Sequence, residues 1–177
     1  MADFVLHRRV WVPRPRSEVF AFLADPRHLS AVHPPATALR WLAPPPAVLG
    51  AGAVLDFSVR AWLVRARWRV LVREFDPPYR FVDVQIRGPF RRWEHLHRCV
   101  EGPERPDLAG AAPAEAHARR DAAAAAGPVG TWIVDRVTYG LSLGVLGRVA
   151  HAAVVGRQIA GVFDYRARRL RELLSAR

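Results

Sequence analysis

The sequence has no lysine, so all 27 of its Lys-plus-Arg residues are arginine, and it has a single cysteine, Cys99. It also lacks any run of about 18 uncharged apolar residues, the length a bilayer-spanning helix needs. Each absence excludes something. One thiol makes no internal disulfide and offers no zinc-finger spacing, which leaves Cys99 as a small buried hydrophobe. The first residues reach Asp3, Arg8 and Arg9 without an uninterrupted apolar stretch, so no secretory signal is read and a cytoplasmic location is expected. A net charge of +11 carried by arginine alone, beside abundant Ala, Gly and Pro, reflects coding composition in part. Specific nucleic-acid binding is therefore not expected; an arginine-rich surface that meets nucleic acid or an anionic membrane loosely is kept as a weaker alternative.

What is present describes a globular chain. Hydrophobic residues make up 51% and aromatics 10%, six Trp among them. In 177 residues this is enough for one core, so residues 1–177 are read as a single domain.

Phe4 to Val12, closed by Pro13, reads as a first strand. A short amphipathic helix through Val19, Phe20, Phe22 and Leu23 ends at Asp25-Pro26, and a second from Arg27 to Val32 ends before Pro34-Pro35. Strands are then expected at Thr37 to Leu42, Val54 to Val59 and Val64 to Val72. In the last of these Val64, Ala66, Trp68, Val70 and Val72 alternate with Arg65, Arg67, Arg69 and Leu71. One greasy and one cationic face mark a half-buried antiparallel strand. The arginines are expected to be solvated, paired with Asp83 from the next strand.

Phe81 to Ile86 and Arg91 to Val100 follow as hairpin partners, and the sheet resumes at Thr131 to Tyr139. Between them residues 102–128 lose periodicity and read as a flexible Ala/Pro/Gly-rich insertion. From Gly144 to about Leu174 no proline interrupts a helical pattern. The order is that of an α+β fold in which a six- or seven-stranded antiparallel sheet curves around one long C-terminal helix.

The helix carries a stripe that includes Ala153, Gly156, Ala160 and Phe163. A glycine inside a helix costs roughly 0.5 to 1 kcal/mol, so a steric reason is expected for its short middle. Either space lies over the sheet, or a bulky strand residue such as Trp68 interlocks with the notch. By alternation Trp93, His95, His97 and Cys99 share the inner face of one strand, and Ile133, Asp135, Val137 and Tyr139 that of another. His95, His97, Asp135 and Tyr139 are thus candidates for acid/base work, for orienting a ligand, or for a buried hydrogen-bond network alone. His95-x-His97 also presents two nitrogens to a metal, but no third or fourth ligand is evident; neither metal nor cofactor is expected.

The chain resembles the START/Bet v 1-like SRPBCC superfamily, in its polyketide cyclase/dehydrase-like branch. The resemblance rests on Pro13 with Val19-Phe20 and Leu23-Ala24-Asp25-Pro26, on Gly88-Pro89-Phe90 with Trp93, His95 and His97, on Gly130-Thr131, Asp135 and Tyr139, and on Phe163-Asp164-Tyr165-Arg166. It implies a helix-grip fold whose cavity, between sheet and terminal helix, holds a lipid, polyketide, isoprenoid or other hydrophobic compound. It leaves the reaction open, since similar proteins include cyclases, dehydratases and non-catalytic carriers. The leading expectation is a binder of a hydrophobic, partly oxygenated small molecule, lined by Trp68, Trp93, His95, His97, Asp135, Tyr139, Ala153, Gly156, Ala160 and Phe163. The alternative is a cyclase, dehydratase or hydrolase that uses His95 or His97 with Asp135 and Tyr139.

Overall fold

The computed structural model describes residues 3–61, 64–104, 129–142 and 154–176. Seven strands form one antiparallel sheet in the order β1-β7-β6-β5-β4-β3-β2. They are β1 (Asp3–Val12), β2 (Arg40–Trp41), β3 (Val54–Ala61), β4 (Val64–Asp76), β5 (Arg80–Arg87), β6 (Arg92–Pro103) and β7 (Val129–Gly140). The chain's first strand closes against its last, Asp3 opposite Gly140 and Val12 opposite Thr131. Helices α1 (Arg16–Leu23) and α2 (Leu29–Val32) follow β1, and α3 (Gly156–Ser175) lies at the C-terminus. No helix among the described residues is long and apolar enough to cross a membrane.

The helix-grip arrangement follows from amphipathic elements. Along α3 the buried residues Ile159, Phe163, Arg166, Leu170 and Leu174 recur at spacings of four and three, which turns one side of the helix to the sheet. Its 20 residues make a rod of about 30 Å. The core joins Leu170 and Leu174 to Val12 and Ile133 of the sheet and to Val19 and Phe20 of α1.

Three boundaries differ from expectation. The strand expected from Thr37 shrinks to Arg40–Trp41, because Pro35–Thr37 forms a 3-10 turn and Ala38 takes a left-handed conformation (φ 42°) before the chain can extend. The expected insertion begins inside β6 instead, since Gly102 and Pro103 pair with Gly130 and Val129; its residues 105–128 lie outside the described residues. The first part of the expected terminal helix, residues 144–153, also lies outside them, and Val154 and Val155 form a wider turn that leads into α3.

Asp83 is the larger correction. The sheet places it on the inner face, away from Arg65, Arg67 and Arg69. Register shifts at Arg69/Val70 and Val72/Glu74 bring Val72, an inward residue, opposite Asp83, while Phe81 turns inward opposite His97. The outer arginines find another acid: Arg67 makes a two-point ion pair with Asp56 of β3, and Arg69 Nε stands 3.8 Å from the same carboxylate. Where β7 meets β1, Gly130 is required by space, because a Cβ there would stand 2.3 Å from the Val12 carbonyl oxygen.

Candidate functional site

Beneath α3, the neighbouring strands β5, β6 and β7 gather ionisable side chains on their inner face. His95 lies across from Asp83 on β5 and from Val137 on β7; His97 lies across from Phe81 and from Asp135. The two carboxylates therefore flank the two imidazoles diagonally, within side-chain reach. His95 Nε2 is 2.9 Å from Asp135 Oδ1, His97 Nε2 is 2.9 Å from Asp83 Oδ2, and His97 Nδ1 is 3.2 Å from Asp135 Oδ1. From above, Arg166 Nε donates to Asp135 Oδ2 at 3.2 Å, and Arg166 Nη2 stands 3.4 Å from His97 Nδ1. The ring of His97 stacks on Phe81 at 4.1 Å, and Phe163 meets His95 edge to face at 5.1 Å.

The charges balance. Burial alone would raise the pKa of Asp135, but the Arg166 charge and the hydrogen bonds from both histidines hold it well below the usual carboxylate range. Asp83, opposed in the same way by burial, is held low by its hydrogen bond from His97. Burial works against an imidazolium at His97, yet its bonds to Asp135 and Asp83 outweigh burial and raise its pKa above 6.5. His95 goes the other way, lowered by burial and then by the neighbouring His97. Two carboxylates, one guanidinium and one imidazolium at His97 sum to zero, the condition under which ions tolerate burial.

A cavity of about 320 Å3 lies between this cluster and α3. Leu55, Phe57, Val59 and Val70 of the sheet and Ile159 and Val162 of α3 line it. At one side Trp68, Phe90 and Trp93 pack together, Trp68 to Trp93 at 4.8 Å and Phe90 to Trp93 at 5.0 Å. The indole Nε1 of Trp68 is buried with no hydrogen-bond partner among the described residues. A second space of about 60 Å3 shares Asp83, His97 and Arg166 with the first.

Of the residues singled out in the sequence, Trp68, Trp93, His95, His97 and Phe163 border the cavity. Asp135 stands behind the histidines, buried and bonded to both. Tyr139 is buried among Phe4, Phe90 and Trp93, and burial raises its pKa. Gly156 opens α3 and Ala160 is partly buried, but the helix turns Val155, Gln158, Ile159, Val162, Phe163 and Arg166 to the cavity in their place. Ala153 lies outside the described residues.

Sequence reasoning missed Asp83, Arg166 and His33, another cavity-lining residue. The signal for Asp83 is its shared parity with Phe81. For Arg166 it is the spacing of three from Phe163 and four from Leu170. Asp83 also supplies the third metal-ligand candidate that the sequence did not reveal: ligand atoms of Asp83, His95 and His97 lie within 4.8 Å of one another. A cation held there would compete with the proton on His97 and with the nearby Arg166 charge.

Residues 12–163 match the family model described as polyketide cyclase / dehydrase and lipid transport. A search of curated proteins finds no match. Among solved structures, a START superfamily protein from Mycobacterium smegmatis superposes with a TM-score of 0.62 at 13% identity, over 96% of each chain. A protein from Thermus thermophilus gives 0.60 at 18% identity, over 96% of this chain and 97% of that one. A norcoclaurine synthase point mutant from Thalictrum flavum, solved with a transition-state analogue, gives 0.60 at 13% identity over 98% of both. These likenesses carry the fold, and the family model, which spans most of the sequence, carries the membership: the chain belongs to the polyketide cyclase/dehydrase and lipid transport family.

Proposed function

We propose that this protein binds a hydrophobic, partly oxygenated small molecule in the cavity between the sheet and α3. The observation that carries the reading is a space of about 320 Å3 with apolar walls and one charge-balanced ionic side. Ligand pockets run from about 300 to 1,000 Å3, so this one suits a compact molecule, such as a small polyketide or isoprenoid ring system, better than a two-chain lipid. Family membership supports hydrophobic-ligand binding in general terms.

An acid/base role for His95 or His97 has weaker support. Both rings border the cavity, but His95 Nε2 and both nitrogens of His97 are directed at carboxylates. Proton exchange with a ligand would first have to break a buried ion pair. The ionic side is read here as a wall that orients oxygen atoms of the ligand.

Native mass spectrometry of protein drawn from a cell extract is expected to show a small-molecule adduct. Val162→Trp, which fills the space from α3, is expected to abolish it while the circular dichroism spectrum stays unchanged. An extract-derived protein with no adduct, and with no affinity for naphthalene-sized hydrophobic probes, would overturn the reading.

A further inference from the structure

His33 reaches the cavity from a segment unlike the rest of its wall. Helix α2 ends at Val32, and Pro34 then bars His33 from helical backbone angles, so His33 is extended (φ −97°, ψ 140°). Pro34 and Pro35 lead into the Pro35–Thr37 turn, which brings Thr37 back over the chain. The Thr37 hydroxyl donates its only proton to the Pro34 carbonyl oxygen at 2.6 Å. Thr37 Oγ1 also lies 2.9 Å from His33 Nδ1.

That second contact has one possible direction. With its proton committed to Pro34, the hydroxyl can only accept from His33, so Nδ1 carries the imidazole hydrogen and Nε2 carries a bare lone pair. Nε2 has no hydrogen-bond partner among the described residues, and it is not among the sealed unpartnered atoms. The ring borders the cavity. Burial, reinforced by the Arg166 charge, pushes the His33 pKa down to about 4, so the ring stays neutral near pH 7. At that pH it is too weak a base for proton abstraction and well suited to accept a hydrogen bond.

We infer that His33 is a specificity-determining residue that selects ligands bearing a hydroxyl, a phenol or an enol, by accepting the hydroxyl hydrogen at Nε2. The inference rests on the binding reading above and narrows its ligand class: an ether or ketone oxygen in the same place would face a lone pair instead of a donor. Selection of this kind exceeds what an apolar pocket achieves alone, because the mismatched ligand leaves a buried acceptor unpaired.

Equilibrium dialysis with 2-naphthol and 2-methoxynaphthalene separates the possibilities, since the pair differs in the donor proton and little else. The ratio of the two affinities is expected to favour 2-naphthol in the wild type and to fall about fivefold in His33→Phe, the worth of one net hydrogen bond. Thr37→Val, which releases the tautomer, is expected to lower the ratio part of the way and serves if His33→Phe fails to fold. An equal affinity of the wild type for both compounds, or a ratio that His33→Phe and Thr37→Val leave unchanged, overturns the role of His33 while the cavity reading stands. If the folded wild type binds neither compound and carries no extract-derived adduct, the binding reading falls and this inference falls with it; an adduct without affinity for either compound overturns the role of His33 alone.

Discussion

Each face of the sheet holds an arginine–aspartate pair, and the two pairs differ in what surrounds them. On the outer face Arg67 reaches Asp56 with its own side chain 47% exposed. On the inner face Arg166 meets Asp135 with both side chains at 10% exposure or less. The Asp56 side chain is itself only 9% exposed, but water and salt reach the pair from the Arg67 side and weaken it. The second is embedded in apolar packing, where removing one partner strands an ion that cannot be rehydrated. The same two residue types decorate one surface and constrain the other.

Breaking the inner pair should have the largest effect. Asp135→Ala leaves Arg166 and His97 without their shared carboxylate, and a loss of about 3 to 5 kcal/mol is expected in denaturant unfolding. Asp135→Leu combined with Arg166→Met is expected to be less damaging than the sum of the single changes by more than about 1 kcal/mol, because the double change leaves neither ion alone. Additive losses would mean that the two side chains act independently.

A smaller effect, with a definite sign, comes from pH. His97 has a folded pKa above 6.5, so its contribution is complete below 6.5 and is lost as pH rises through the folded value. His95, lowered from 6.5, works oppositely: stability is lost as pH falls below 6.5, where the unfolded chain takes up the proton first. Asp83 and Asp135, both lowered from 3.8, add a further loss in strong acid. His97→Gln is expected to flatten the alkaline limb of the stability profile and His95→Gln the mildly acidic one, measured by urea midpoints across pH. Identical profiles for the two variants would show that the cluster does not divide its protons in this way.

The smallest effect belongs to the outer face. Arg67→Ala should shift the melting temperature less than any inner substitution, and its difference from the wild type should vanish in about 1 M salt. A shift that persists in high salt would show that Asp56, itself only 8% exposed, depends on Arg67 in the way that Asp135 depends on Arg166.

The same contrast explains what could be read from the sequence. In β4 and β6 the two parities differ in character, arginine against valine or charge against aromatic, and in β7 Arg136 and Thr138 mark the outward parity, so inward residues such as Trp68, His95, His97 and Asp135 could be assigned. In β5 alternation points the wrong way: Val82, Val84 and Ile86 form the apolar parity and Phe81 shares the other with Asp83, Gln85 and Arg87, yet Phe81 is buried inward while Val82 on the opposite face is only 4% exposed. Alternation alone therefore could not orient Asp83, and the bulged register with β4 settled it. On α3, spacings of three and four from Phe163 reach Arg166 and Ala167 respectively. Hydrophobicity favours the alanine, whereas the carboxylate beneath the helix draws the arginine inward. His33 sits in a proline-bounded turn with no period, and only its tertiary surroundings expose its role.

The space of about 60 Å3 that shares Asp83, His97 and Arg166 with the larger cavity has a consequence for the ligand. Its other walls are mostly apolar, Phe22, Leu23, Leu49, Val72 and Phe81 among them. The ions therefore border greasy space in both cavities and must satisfy one another, because neither space surrounds them with other polar groups. A guest that carries oxygen to this edge supplies the hydration that the walls withhold, whereas a pure hydrocarbon supplies none.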